Sequence, residues 1–305
     1  MQTVGRFAPS PSGRMHLGNV LCALLAWLSA RHQNGAFLLR IEDLDAMRCP
    51  RSYADLIMDD LRWLGLDWDG EVPYQSERAP IYEKYEQILR EKGLLYPCFC
   101  SRAALHAASA PHLSDGRVLY AGTCRELTPA EIEEKRKKRA PATRVRVPDE
   151  IISFTDGVFG AYSENLAEEC GDFIIRRSDG VFAYQLAVTV DDGLSGVTEV
   201  VRGSDLISST PRQIWLYRLF GFEPPHFVHI PLLCDVDGRR LSKRDEDLDL
   251  GLLRERFTPE QAIGALAFAA HLTDRAEPAS VRELVQDFDW SRIPKHELCL
   301  PPMFR

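Results

Sequence analysis

The hydrophobic pattern divides the chain into a series of elements. A short apolar stretch from Thr3 to Ala8 predicts a strand. A loop rich in proline, serine and glycine follows it. The long apolar run VLCALLAWLSA then lies within a predicted helix from Leu17 to Arg31. FLLRIED, Phe37 to Asp43, predicts a buried strand ending in two acids. Strand, loop, helix and strand form the opening of a parallel α/β sheet. Two helices follow. Ser52 is the expected cap of one that runs to Leu64 and stops at Gly65, and the other runs from Pro80 to Lys92 and stops at Gly93.

From Leu95 to Asp179 the pattern is cysteine-bearing, then basic, then strand-like (TRVRVPDEIISF), which predicts an insertion between two halves of the sheet. Within it, Thr128-Pro129-Ala130-Glu131 is a capping box with proline at the first helical position. VFAYQLAVTVDD (Val181 to Asp192) and VTEVVRG (Val197 to Gly203) predict a return to sheet strands. Thr210-Pro211-Arg212-Gln213 and Thr258-Pro259-Glu260-Gln261 open two more capped helices, the first ending at Gly221. The tail after Ser280 predicts a small helical cap. The expected divisions are 1–94, 95–179, 180–225 and 226–305.

Composition changes this picture little. Lys and Arg number 37 and Asp and Glu 45, a formal charge of −8. An acidic total does not exclude nucleic acid, because binding follows the local patch. The most basic run, Lys135 to Arg139, follows three glutamates and reads as the exposed end of a charged helix. No signal peptide is visible, and no apolar run approaches the roughly 20 residues a membrane helix needs. The expectation is a cytoplasmic protein with reduced thiols, so grouped cysteines suggest metal before disulfide.

The opening loop, RFAPSPSGRMHLGN, is the first candidate for chemistry. A strand that turns into a helix presents free backbone N–H groups, which favour phosphate. Gly13 and Gly18 permit close approach, His16 adds donor nitrogens, and Arg6 and Arg14 add positive charge. Neither the G-x-x-x-x-G-K-[ST] nor the G-x-G-x-x-G pattern is present. Far along the chain, Gly238 to Asp245 (GRRLSKRD) forms a second basic, glycine-led loop after an apolar strand.

Together these loops resemble the His-Ile-Gly-His and Lys-Met-Ser-Lys-Ser motifs of class I aminoacyl-tRNA synthetases. The run R-F-A-P-S-P-S-G-x-x-H-x-G, LLRIEDLD at Leu38 to Asp45, the stretch around Tyr184 and EVVRGSDLISSTPRQ at Glu199 to Gln213 narrow the resemblance to the glutamyl branch. It covers about residues 3 to 250. It implies a Rossmann-type parallel-sheet catalytic domain with a zinc-bearing insertion and a small helical C-terminal subdomain. It implies an ATP site at His16, Gly18, Asn19, Ser242 and Lys243, with His16 and Lys243 catalytic and Mg²⁺ accompanying ATP. Lys243 would stabilise the leaving pyrophosphate from a closing loop. It implies a glutamate site at Arg6, Ala8, Ser10, Glu42, Tyr184 and Arg202. Arg6 would pair with the side-chain carboxylate and Glu42 with the amino group. Asn19 stands where the first motif has its second histidine, and Arg240 and Arg244 flank the retained Ser-Lys.

The chain ends at Arg305 with little after the last family-like helix. That resembles the short paralogous branch of glutamyl-tRNA synthetases, which has no anticodon-binding region. The resemblance implies activation of L-glutamate without tRNA and its transfer to queuosine in the anticodon of tRNA-Asp; the expectation is a monomer that does not engage membranes. Competing readings are a clipped enzyme charging tRNA-Glu, a small-molecule nucleotidyltransferase, and a non-catalytic paralogue. The first is disfavoured by the missing anticodon region, the second by a glutamate pocket it would leave idle, and the third by the retained His16 and Lys243.

Cys98, Cys100 and Cys124 supply three soft ligands for a tetrahedral zinc site. His106 and His112 lie between them, and residue chemistry alone would choose a histidine as the fourth ligand. The short paralogues carry C-x-C…Y-x3-C, and that resemblance implies Tyr120, with His112 as the rival and a structural role for the metal.

Overall fold

The computed structural model describes residues 2–101, 119–239 and 249–304. Four short strands form its parallel framework. β1 (Val4–Phe7) pairs with β2 (Ala36–Leu39), Arg6 lying opposite Leu38. The helix between them, α1 (Leu17–His32), is buried along most of its length, from Leu17 through Ala30, as the apolar run requires. α2 (Arg51–Trp63) and α3 (Ala79–Glu91) follow. Next come β3 (Leu95–Cys98), α4 (Pro129–Arg136), β4 (Ala142–Val145), β5 (Ile151–Asp156), β6 (Gly160–Asn165) and β7 (Phe173–Arg176). β3, β4 and β7 make an antiparallel sheet, and β5 and β6 an antiparallel pair.

Parallel pairing then returns. α5 (Tyr184–Leu194) leads to β8 (Glu199–Gly203), α6 (Thr210–Phe220) and β9 (His226–Ile230), and β8 pairs with β9. Thr198 N donates to Val4 O at 2.9 Å and Val4 N to the Thr198 hydroxyl at 2.9 Å, so the two parallel pairs meet. β10 (Leu233–Cys234), α7 (Leu250–Arg256), α8 (Pro259–Ala269), α9 (Val281–Leu284) and β11 (Leu298–Cys299) complete the chain. A core running from Phe7 to Phe304 packs α1 and α8 against the parallel strands.

Several expectations need correction. The stretch from Tyr184 to Asp192 is helical, not a strand. Leu186, Ala187 and Val190 bury one face, and Asp191 and Asp192 are buried by ion pairing, so the β-branched run V-T-V is overridden by tertiary contacts. β2 stops at Leu39, and beyond it Ile41 only bridges to Tyr74. Ser52 is not a cap: α2 starts at Arg51 behind Pro50, with no side-chain cap bond. Thr210 is the first residue of α6, not its cap, because its hydroxyl accepts from Arg202. The tail holds the expected short helix, but β11 also pairs in parallel with β10.

Other expectations hold. The Thr128–Glu131 and Thr258–Gln261 capping boxes close as read, and Gly221 ends α6 at a left-handed φ of 75°. Lys135 to Arg139 is the exposed end of α4. Among the described residues no helix is long and apolar enough to cross a membrane.

α8 approaches the segment between α8 and α9 so closely that a Cβ on Gly264 would lie 1.8 Å from Glu277 O. Gly264→Ala is therefore expected to destabilise the fold by about 2 kcal/mol, the cost of an overpacked core, as measured by denaturant unfolding.

Candidate active site

The opening loop caps its own helix. His16 caps α1, its Nδ1 accepting from Gly18 N at 3.1 Å, while Asn19 Oδ1 accepts from His16 N at 3.4 Å. An accepting Nδ1 places the ring hydrogen on Nε2, so His16 offers a donor there. Gly18 sits close against the ring: a Cβ there would stand 3.0 Å from His16 Cε1 and Nδ1 and would push the imidazole by a few tenths of an ångström. Arg14 holds the loop down through a two-pronged pair with fully buried Asp60 of α2, at 2.8 and 3.3 Å. Leu250 N of α7 donates to Met15 O at 3.0 Å and docks α7 against the same loop.

Behind the loop lies a buried charge network. Arg6 Nε donates to Asp192 Oδ2 at 3.3 Å and its NH1 to Val201 O at 3.2 Å. Arg40 donates to Asp192 Oδ1 at 2.6 Å and to Glu42 Oε1 at 3.0 Å. Asp191 accepts from Gln75, Arg78 and Tyr82 at 2.7 to 2.8 Å. Burial raises the Asp192 pKa, but Arg40 and Arg6 outweigh it and hold the carboxyl below its ordinary range. Glu42 goes the other way: burial lifts it above its usual value although Arg40 opposes this. Its backbone N donates to Pro9 O at 3.0 Å, which sets Glu42 beside Ala8 and Ser10.

Arg202, at the end of β8, is held differently. Its Nε donates to His229 Nε2 at 3.0 Å, NH1 to Gln213 at 2.8 Å, and NH2 to Thr210 at 2.7 Å and Leu206 O at 3.4 Å. All four partners are neutral. Among the described residues no carboxylate bonds to this guanidinium, which is only 4 % exposed. Burial, with Arg6 adding repulsion, lowers its pKa, the reverse of Arg6.

A cleft of about 1290 Å³ joins these parts. Arg6, Ala8, Ser10, His16, Gly18, Asn19, Glu42, Tyr184 and Arg202 all line it, so nine residues singled out in the sequence meet in one cavity. Ser242 and Lys243 lie outside the described residues. Sequence reading missed Arg40, Asp191, Asp192, Asp156 and His229. The available signal was charge inside apolar runs, as in FLLRIED and VTVDD, where a buried acid or base demands a partner.

Cys98, Cys100 and Cys124 place their Sγ atoms within 4.8 Å of one another. Cys100 and Cys124 are 3.7 Å apart, against about 3.8 Å for two thiolates on one tetrahedral zinc. Tyr120 Oη stands 3.6 Å from Cys98 Sγ, close to the roughly 3.5 Å of a sulfur–oxygen edge. Burial raises the Cys98 thiol, but hydrogen bonds from the Cys100 amide, Arg144 and Tyr120 leave it below its ordinary pKa. Arg144 donates to Cys98 Sγ at 3.2 Å and stacks 3.8 Å over the Tyr120 ring. This donor set can hold a metal ion. His106 and His112 lie outside the described residues.

The profile of the family described as tRNA synthetases class I (E and Q), catalytic domain, matches residues 2–293. The chain belongs to this family. Among class I synthetases it is similar to two proteins named Glutamyl-Q tRNA(Asp) synthetase. That of Symbiobacterium thermophilum is 49 % identical, over 97 % of this chain and 95 % of its own length. That of Nitratidesulfovibrio vulgaris is 47 % identical over the same shares. A crystal structure of a glutamate tRNA ligase from Elizabethkingia meningosepticum, in complex with its amino acid, superposes with a TM-score of 0.84 at 28 % identity. It covers all of this chain and 68 % of that one. The parallel strands and the cleft of this chain are thus those of a class I synthetase catalytic domain.

Replacing Asp192 by alanine strips Arg6 of its carboxylate and leaves Arg40 only Glu42 and Asp191. The expected loss is about 3 kcal/mol or more in denaturant unfolding. A lowered carboxyl pKa adds stability above the ordinary aspartate range and loses it as pH falls through the lowered value. Asp192→Asn is therefore expected to be less stable at neutral pH and to show a shallower acid decline.

Proposed function

We propose that this cleft joins L-glutamate to ATP without tRNA, and that the enzyme, a ligase, passes the glutamyl group to the queuosine base in the anticodon of tRNA-Asp. The observation behind the glutamate reading is Arg202: a buried cation whose hydrogen-bond partners among the described residues are all neutral, lining a cleft with Arg6. An anionic side chain supplies the counter-charge that the protein withholds, and the neutral amide of glutamine does not. Glu42 receives the amino group. The relatives' name, matched over 95 % of their length, supports queuosine in tRNA-Asp as the acceptor.

The glutamate α-carboxylate attacks the α-phosphorus of ATP, a new oxygen–phosphorus bond forms, and the bond to pyrophosphate breaks. Charge grows on the phosphate oxygens, where preorganised donors act most strongly. His16 Nε2–H and the N-terminus of α1 serve the α-phosphate. Lys243 and the Mg²⁺ that travels with ATP serve the departing pyrophosphate. The acceptor then attacks the mixed anhydride and releases AMP. A single-stranded anticodon loop suits this step, since its bases can be splayed out.

The test is transfer of labelled glutamate, with ATP and Mg²⁺, to three RNAs. Label is expected on tRNA-Asp carrying queuosine and not on tRNA-Asp lacking it or on tRNA-Glu. Label on tRNA-Glu would instead make this a charging enzyme.

Cys98, Cys100, Tyr120 and Cys124 hold one structural Zn²⁺ in this reading, and none of the four lines the cleft. Chelation is expected to release one zinc per chain and lower the melting temperature while ATP–pyrophosphate exchange persists. Loss of exchange from a still-folded, zinc-free protein would contradict the structural role.

A further inference from the structure

His229 is fully buried at the end of a chain of hydrogen bonds that reaches the cleft. Its Nε2 faces Arg202 Nε at 3.0 Å, and a guanidinium can only donate. Nε2 must therefore be the bare nitrogen. Its Nδ1 faces Asp156 Oδ2 at 2.6 Å, and an ionised carboxylate can only accept. Nδ1 must therefore carry the hydrogen. Both neighbours demand the same neutral tautomer.

Asp156 is itself fixed. Its Oδ2 also accepts from His229 N at 3.0 Å, and its Oδ1 accepts from Val158 N at 3.0 Å and Phe159 N at 2.9 Å. Burial raises its pKa, yet these bonds hold the carboxyl below the ordinary range. Desolvation, with Arg202 and Arg6 nearby, pushes the His229 imidazole the other way, toward its neutral form. Phe227 stacks against the imidazole, ring centres 6.3 Å apart.

We propose that His229, locked by Asp156, is a positioning residue for the glutamate pocket: it aims Arg202 at the substrate carboxylate while adding no competing negative charge. A guanidinium has five N–H groups. His229, Gln213, Thr210 and Leu206 O take four of them, leaving one on NH1 for a ligand. An acid in place of His229 would neutralise Arg202 and weaken its hold on glutamate. A neutral acceptor orients the cation and leaves its charge to the substrate. This inference rests on the reading of Arg202 as a partner of glutamate.

The test compares His229→Phe, His229→Gln, Asp156→Asn and Arg202→Ala in ATP–pyrophosphate exchange, with melting temperatures alongside. His229→Phe removes the acceptor and is expected to raise the KM for glutamate about tenfold, with the KM for ATP within about twofold of wild type. The Gln side-chain oxygen can still accept from Arg202, so His229→Gln is expected to stay much closer to wild type. Asp156→Asn places an N–H opposite Nδ1, moves the ring hydrogen to Nε2, and is expected to raise the glutamate KM as His229→Phe does. If both KM values move together, or only the melting temperature moves, His229 is merely structural and the proposal fails. If Arg202→Ala leaves the glutamate KM unchanged, the pocket assignment itself is wrong. If Arg202→Ala raises it and neither His229→Phe nor Asp156→Asn does, only the positioning role is lost.

Discussion

The fold around the cleft depends on the pairing of two buried aspartates with buried arginines. Asp191 and Asp192 come from one turn of α5, yet they bind groups from β1, the end of β2, α3 and the turn before α3. Desolvating such ions costs several kcal/mol each, and only close, multiply bonded partners offset it. The network is thus a poor source of net stability and a strict condition on geometry. β1, β2 and α5 must sit where these bonds close, and that placement brings Arg6 and Glu42 to the same wall of the cleft.

The opening loop was legible because its chemistry is local. His16, Gly18 and Asn19 satisfy one helix terminus within four residues, so their spacing alone carries the geometry. The same holds for the capping boxes at Thr128 and Thr258. Tyr184 to Asp192 was illegible for the opposite reason. Its local preference, set by Val188, Thr189 and Val190, favours a strand, and the helix is imposed by partners more than a hundred residues away. Thr210 shows the effect on a smaller scale: its sequence context is that of a cap, and Arg202 at the end of β8 claims its hydroxyl instead. The residues proposed to bind glutamate were found by motif, while Asp192 and His229 have no motif of their own and show only as charge inside apolar runs.

The cysteine cluster follows a similar division. Three thiols could be read from spacing, whereas Tyr120 came only through the family resemblance, and the fold sets its Oη 3.6 Å from Cys98 Sγ. Arg144 then explains how so many potential anions tolerate one another. Its guanidinium bonds Cys98 and covers the Tyr120 ring, favouring the charged form of the thiol before any metal is considered.

Arg6 and Arg202 line one cleft and are treated in opposite ways. Arg6 is matched by Asp192, so its charge is largely answered by the protein. Arg202 is surrounded by an imidazole, an amide, a hydroxyl and a carbonyl, and its charge is answered by none of them. Two neutralised arginines would bind an acid and its amide with little distinction. Two unanswered ones would repel each other at close range and strain the fold. One of each keeps the empty pocket tolerable and still leaves it a single positive charge in deficit of a partner. In the proposed reading, selectivity for a carboxylate arises from what the protein declines to pair, and His229 is the group through which it does so.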